Sequence, residues 1–232
     1  MTSLAASTPT PGAPKPVDTV PKVKICGVTS PAEAILAADL GADFVGLNFY
    51  PPSPRYVEPE RAAEIAAAVQ GRVRTVGVFV NLPTPEVAAI AERVGLDLLQ
   101  FHGDESAEDI RPFAPRALKA FRVRDRIEPA VLAGFDNVWG LLIDARHPQL
   151  YGGTGESWEF GSLRELEPGR GPRRIFIAGG LEPSNVRAAV TAARPYGIDL
   201  CSGLESRPGK KDPELLRRLF EEIKHGETPA EA

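Results

Sequence analysis

Cys26 closes the short run Val23-Lys24-Ile25-Cys26, and Lys24 stands two residues before it. Side chains alternate along an extended strand, so this ammonium and this thiol share a face. A nearby cation favours the thiolate, a competent base or nucleophile, whereas a cysteine in apolar surroundings is a small inert hydrophobe; residue type and position admit both. Gly27 beside it permits close approach of a ligand. Asp144 follows Gly-Leu-Leu-Ile, where burial presses a carboxyl group toward its neutral form, and a neutral acid holds a proton to deliver. Its competing role is to cap a loop or pair with Arg146. Two glycine turns, Ala178-Gly179-Gly180-Leu181 and Cys201-Ser202-Gly203-Leu204-Glu205, can point backbone N–H groups at an anion, which makes the ligand a phosphorylated one; the alternative is two tight turns. Arg55, in the rigid segment Pro51-Pro52-Ser53-Pro54-Arg55-Tyr56, can meet a carboxylate in bidentate fashion or remain a solvated loop residue. Gln100 and His102 end another apolar run and can hydrogen-bond a ligand, or His102 can be a satisfied core residue. Arg207, Lys210 and Lys211 offer positive charge near the phosphate end but read first as a solvated charge run, and Tyr151-Gly152-Gly153-Thr154-Gly155 reads as a mobile loop over the site or as a surface loop with glycines for conformational reasons alone.

These residues act together only if a scaffold collects them. From Lys22 onward short β-branched or apolar runs alternate with stretches of helical spacing. Strands are predicted over 23–28, 44–49, 75–80, 98–103, 117–123, 140–145, 174–180 and 198–203. Helices are predicted over 31–40, 59–69, 85–94, 106–113, 126–134, 161–166, 183–193 and 213–224, several with Ser or Thr before Pro at the start. Alternating strands and helices pair in parallel with right-handed crossovers, which predicts a single-domain (β/α)8 TIM barrel over 22–225. A doubly wound open sheet is the competing closure. The proline-rich segment 1–21 and the end of the chain, 226–232, are expected to be disordered tails. In a barrel, chemistry belongs at the carboxyl ends of the strands. Lys24, Cys26, Asn48, Arg55, Asn81, Gln100, His102, Arg122, Asp144, Gly179, Gly180, Asp199, Ser202 and Gly203 all fall there, on one rim.

Composition narrows the partners. With 27 Lys and Arg against 31 Asp and Glu in 232 residues, the net charge of −4 gives no case for nucleic acid or an anionic membrane. No apolar run is long enough to span a bilayer and the amino terminus has no signal-peptide core, so a cytoplasmic protein with a small-molecule ligand is expected. Cys26 and Cys201 are expected to be free thiols, and the scattered His102, His147 and His225 form no metal-ligand pattern.

Four blocks together resemble one family. They are Val23 through Thr29; Gly41-Ala42-Asp43 through Phe49-Tyr50 to Ser53-Pro54-Arg55-Tyr56; Val76 through Asn81 with Gln100-Phe101-His102-Gly103; and Asp199 through Glu205 to Pro208-Gly209-Lys210-Lys211-Asp212. In that order they are similar to the phosphoribosylanthranilate isomerase family of tryptophan biosynthesis, over roughly residues 22–224. The resemblance implies an Amadori rearrangement without metal or organic cofactor, by a monomer or homodimer. Cys26 would be the general base, Asp144 the general acid and Arg55 the contact to the anthranilate carboxylate. Gly179, Gly180, Ser202 and Gly203 would hold phosphate, with Asp199 near the ribose and Lys24, Gln100 and His102 as further substrate contacts. Cys201 stands where members often carry serine, which bears on phosphate-loop geometry, and Phe101 replaces a more usual aliphatic residue. An imidazole-ribotide isomerase would want two opposed aspartates, a metal-dependent epimerase clustered His and Asp ligands. A non-catalytic phosphate sensor would bind without turnover.

Overall fold

Apolar runs bury on both faces once helices cover the outside of a parallel sheet, and here they do so around a closed ring. The computed structural model describes residues 20–123, 129–145 and 174–224. Its first eight strands are β1 Lys22–Cys26, β2 Phe44–Asn48, β3 Arg74–Phe79, β4 Leu98–Phe101, β5 Ala117–Val123, β6 Gly140–Ala145, β7 Ile175–Ala178 and β8 Gly197–Leu200. They pair in parallel in chain order, and β1 pairs with β8 as well as with β2, so the sheet is a closed barrel and the open alternative is excluded. Around it run α1 Pro31–Leu40, α2 Pro59–Ala68, α3 Thr84–Val94, α4 Ala107–Ile110, α5 Pro129–Leu132, α6 Val186–Ala193 and α7 Pro213–Lys224. The expected helix over 161–166, Arg146, the Tyr151–Gly155 loop, nearly all of the amino-terminal tail and the carboxyl-terminal tail lie outside the described residues.

Local chemistry explains where elements begin and stop. Ser30 accepts a hydrogen bond from the Glu33 N–H at 3.3 Å and Pro31 fills the first helical position, so α1 starts as its sequence predicts. Removing this cap costs about 1 kcal/mol. Ser30→Ala should therefore lower Tm by roughly 2–4 °C in a chain of this size, measured by differential scanning calorimetry. Thr84 does not cap α3; Pro83 takes that position, with no side-chain bond. The helix expected over 106–113 stops at Ile110 and continues as a 3-10 turn over Arg111–Arg116, because Pro112 and Pro115 withhold N–H donors. The helix expected from 183 starts at Val186, since Asn185 instead serves the preceding loop: it accepts from Glu182 N–H at 2.9 Å and donates to Gly180 O at 2.8 Å.

Phe44, Val76, Leu98, Leu118, Ala120, Leu142 and Phe176 pack together as the inner core, separate from the larger layer between strands and helices. Phe101 belongs to that outer layer, with its ring centroid 5.7 Å from Phe113, so an aromatic ring in place of an aliphatic side chain is accommodated by packing. After β8 a 3-10 turn, Ser202–Leu204, leads into an antiparallel hairpin of β9 Glu205–Arg207 and β10 Lys210–Lys211. These strands are too short to carry a period. Thr29 donates to Gly209 O at 2.9 Å, and Lys211 N–H donates to Glu33 at 3.0 Å, which fastens the hairpin over the start of α1. At the other end of the barrel a cavity of about 510 Å³ is lined by Lys22, Asp43, Arg74, Asp97 and Tyr196 among others. Its Lys22–Asp43 contact of 2.8 Å and Asp97–Thr75 bond of 2.8 Å tie strand starts together, the stabilising role expected of that face.

Candidate active site

The β1–β8 register places Lys24 opposite Asp199. Both side chains are buried, and Lys24 Nζ lies 2.9 Å from each Asp199 oxygen. Burial opposes the Lys24 charge, yet the Asp199 carboxylate and the Cys26 sulfur outweigh it and raise its pKa. For Asp199, burial first and the Cys26 charge second push the carboxyl up to about 7 despite its lysine partner. The inner wall at Lys24 is thus an ion pair, with its cation also turned toward Cys26.

Cys26 is buried at the end of β1. Gly46, opposite it on β2, has no room for a side chain: a Cβ there would lie 2.9 Å from Cys26 Sγ and 3.2 Å from Lys24 Nζ. Gly27 leaves the strand with φ +71°, which is why β1 ends before residue 28, and a Cβ on it would strike Arg55 Cδ at 2.7 Å. The neighbouring Cys201, together with the charges of Lys24 and Lys211, outweighs burial and holds the Cys26 pKa well below the ordinary thiol range.

Asp144, at the end of β6, is only 16% exposed and its Oδ2 lies 3.2 Å from His102 Nε2. Gln100 Nε2 approaches His102 Nδ1 at 2.8 Å. The imidazole ring is thus held between the Gln100 amide and the Asp144 carboxyl group. Gln100 Oε1 is buried without a hydrogen-bond partner among the described residues. Lys24 pairs with Asp199, Asp199 with Ala178 and Ala178 with Asp144, so the β1 and β6 groups stand in one row around the inside of the barrel.

Arg55 holds Glu205 through two bonds, Nε to Oε1 at 2.8 Å and Nη2 to Oε2 at 2.6 Å. Lys211 Nζ adds a third, 3.1 Å to Glu205, and donates to Cys201 O at 3.0 Å. Lys211 is 3% exposed, which corrects its reading as part of a solvated run; Arg207 and Lys210 are exposed as expected. Burial works against the Glu205 charge, but the Arg55 hydrogen bond and then Lys211 hold its pKa below the usual carboxylate value. Neither Glu205 nor Lys211 stood out as a site residue in the sequence, where nothing local marks a pairing across 150 positions.

Gly179 and Gly180 adopt φ +97° and +62°. Gly203 packs so closely against the β7 loop that a Cβ would meet Leu181 O at 2.1 Å, so the two glycine turns meet as one surface. Other polar residues of the rim shape loops: Asn48 accepts from Tyr50 N–H at 2.8 Å, and Arg122 donates to His102 O at 3.0 Å. Asn81, at φ +53°, donates its N–H to Glu105 at 2.8 Å, and Glu105 forms a buried pair with Lys119 at 2.9 Å.

Polar groups gathered at the carboxyl ends of the strands, above a floor of packed apolar residues, define the class as a (β/α)8 barrel enzyme. Comparison with known proteins supplies the family. The model for N-(5'phosphoribosyl)anthranilate (PRA) isomerase matches residues 23–222. A relative from Rubrobacter xylanophilus named N-(5'-phosphoribosyl)anthranilate isomerase is 46% identical over 206 residues, covering 88% of this chain and 98% of its own. The crystal structure of phosphoribosyl anthranilate isomerase from Thermotoga maritima superimposes with a TM-score of 0.77 at 34% identity, over 88% of this chain and 99% of that one. A solved phosphoribosyl anthranilate isomerase in complex with reduced 1-(o-carboxyphenylamino)-1-deoxyribulose 5-phosphate gives a TM-score of 0.76 at 33% identity, over 88% and 99% of the two chains. The chain belongs to the N-(5'-phosphoribosyl)anthranilate isomerase family.

Proposed function

We propose that the protein converts N-(5-phosphoribosyl)anthranilate into 1-(2-carboxyphenylamino)-1-deoxyribulose 5-phosphate, with Cys26 as general base and Asp144 as general acid. The observation that carries this reading is a buried thiol beside the Lys24 ammonium, in a barrel whose register sets Lys24, Asp199, Ala178 and Asp144 in one row across β1, β8, β7 and β6. Asp144 gives a proton to the furanose ring oxygen. The C1′–O bond breaks as the anilino nitrogen forms a Schiff base, and this electron sink acidifies the C2′ hydrogen. Cys26 thiolate takes that proton, leaving an enolamine that tautomerises to the aminoketose. Protons move and the substrate is neither oxidised nor reduced overall.

The surroundings fit these roles. His102 Nε2 lies 3.2 Å from Asp144 Oδ2 and orients the carboxyl group that gives up the proton. Nε and Nη2 of Arg55 hold Glu205, so the Nη1 donors are those that reach the anthranilate carboxylate. The Gly179-Gly180 turn and Ser202-Gly203 bind phosphate through backbone N–H groups, and Asp199, tied to Lys24, lies toward the ribose. Gln100 supports the ring of His102. The enzyme works in the cytoplasm on a soluble phosphorylated substrate, as a monomer or homodimer, where reducing conditions suit its two free thiols.

The direct test mixes purified protein with freshly made phosphoribosylanthranilate and follows the loss of anthranilate-type fluorescence. Absence of turnover in correctly folded protein overturns the assignment. For Arg55, substrate binding predicts that Arg55→Ala raises KM about tenfold or more with a smaller fall in kcat. An unchanged KM would remove Arg55 from carboxylate recognition.

A further inference from the structure

We infer that Cys201 is a positioning residue for the proposed base: its S–H, held in place beneath Lys211, donates to Cys26 Sγ and keeps that sulfur ready to accept a carbon-bound proton. This deepens the proposed function and rests on Cys26 being the base.

Strand register carries the argument. Lys24 pairs with Asp199 and Ile25 with Leu200, so the next step along β1 and the end of β8 brings Cys26 beside Cys201. Alternation then puts both sulfurs on the face already occupied by Lys24 and Asp199. Close packing agrees: a Cβ on Gly27, the residue after Cys26, would lie 3.1 Å from Cys201 Sγ. This placement gives Cys201 a role beside the one expected of it in phosphate-loop geometry.

A thiol is a weak donor, but a donor facing an anionic acceptor in a buried setting gains strength. Lys211 settles the direction. Its Nζ is anchored by Cys201 O at 3.0 Å and Glu205 at 3.1 Å, and lies 3.9 Å from Cys201 Sγ. The ammonium therefore engages the lone pairs of that sulfur, leaving the S–H to point away from it, toward Cys26. The adjacent Cys26 sulfur and then burial raise the Cys201 pKa, while the Cys26 thiol is lowered, the direction expected when Cys201 is the donor. The other charges facing the pair are Lys24 and Asp199 on the barrel wall, with Arg55 and Glu205 above. Lys24 divides its ammonium between the two Asp199 oxygens and Cys26, so Cys201 adds a second donor at that sulfur.

The test compares wild type, Cys201→Ser and Cys201→Ala. Alkylation of Cys26 by iodoacetamide is followed against pH, with its peptide quantified by mass spectrometry and folding checked by circular dichroism. The midpoint is the readout, because a more basic thiolate is also intrinsically more reactive and bare rates would mislead. Cys201→Ala should move the Cys26 midpoint up by about one pH unit or more, a roughly tenfold loss of thiolate at a pH below it. Cys201→Ser, which keeps an O–H donor, should restore most of the shift. The acid limb of kcat/KM should move by the same amount. A Cys26 midpoint unchanged in Cys201→Ala overturns the inference and leaves Cys26 as base. A shifted midpoint with an unmoved limb overturns the catalytic role of both cysteines, and full activity in Cys26→Ala would trace the failure to the base assignment itself.

Discussion

Cys26→Ala is expected to lower kcat/KM by about 10²- to 10⁴-fold while leaving product binding nearly intact, and Asp144→Asn to do comparable damage. Alanine at 26 removes the acceptor of the C2′ proton without touching the groups proposed to hold phosphate and carboxylate. Asparagine at 144 keeps an oxygen for the His102 bond, 3.2 Å in the wild type, but has no proton of suitable acidity to give the ring oxygen. The fluorescence assay measures turnover, and titration with product separates chemistry from binding. Either variant retaining near-normal kcat/KM would eliminate that residue from the mechanism. The wild-type profile has a definite sign. Cys26 must be ionised, and its pKa is held well below the ordinary thiol value, so the acid limb lies low and activity fades as pH drops through it, while the need for a protonated Asp144 sets the alkaline limb.

Lys24→Met should destabilise the fold by about 3–5 kcal/mol, because it strands the Asp199 carboxyl inside the barrel without its cation. At this chain length that is a fall in Tm of roughly 6–20 °C. Replacing both partners, Lys24→Met with Asp199→Leu, should recover much of the loss, since neither buried charge then remains. The effect depends on pH in a definite direction. Asp199 titrates at about 7 in the folded protein, above its ordinary 3.8, so protonation favours the folded state and that contribution is lost as pH rises toward 7. Without Lys24 the folded value climbs further, and the deficit against wild type should be larger at pH 8 than at pH 5. Calorimetry at the two pH values decides it; an equal deficit at both would show that the ion pair is not its source.

Sequence alone was enough for the eight strands, for their order and for the rim on which Cys26, Asp144, Asp199 and the glycine turns fall, because both strand period and strand–turn–helix alternation are local properties. The shared face of Lys24 and Cys26 was legible for the same reason. Proline chemistry that shortens α4 and the Asn185 contacts that delay α6 were not, since each depends on backbone groups choosing among competing partners. Tertiary structure decided which side chains meet. Lys24 finds Asp199 across 175 positions, Arg55 finds Glu205 across 150, and Lys211 goes inside instead of into solvent. Alternation states which face a residue takes; only closure of β1 against β8 sets the register that gives it a partner.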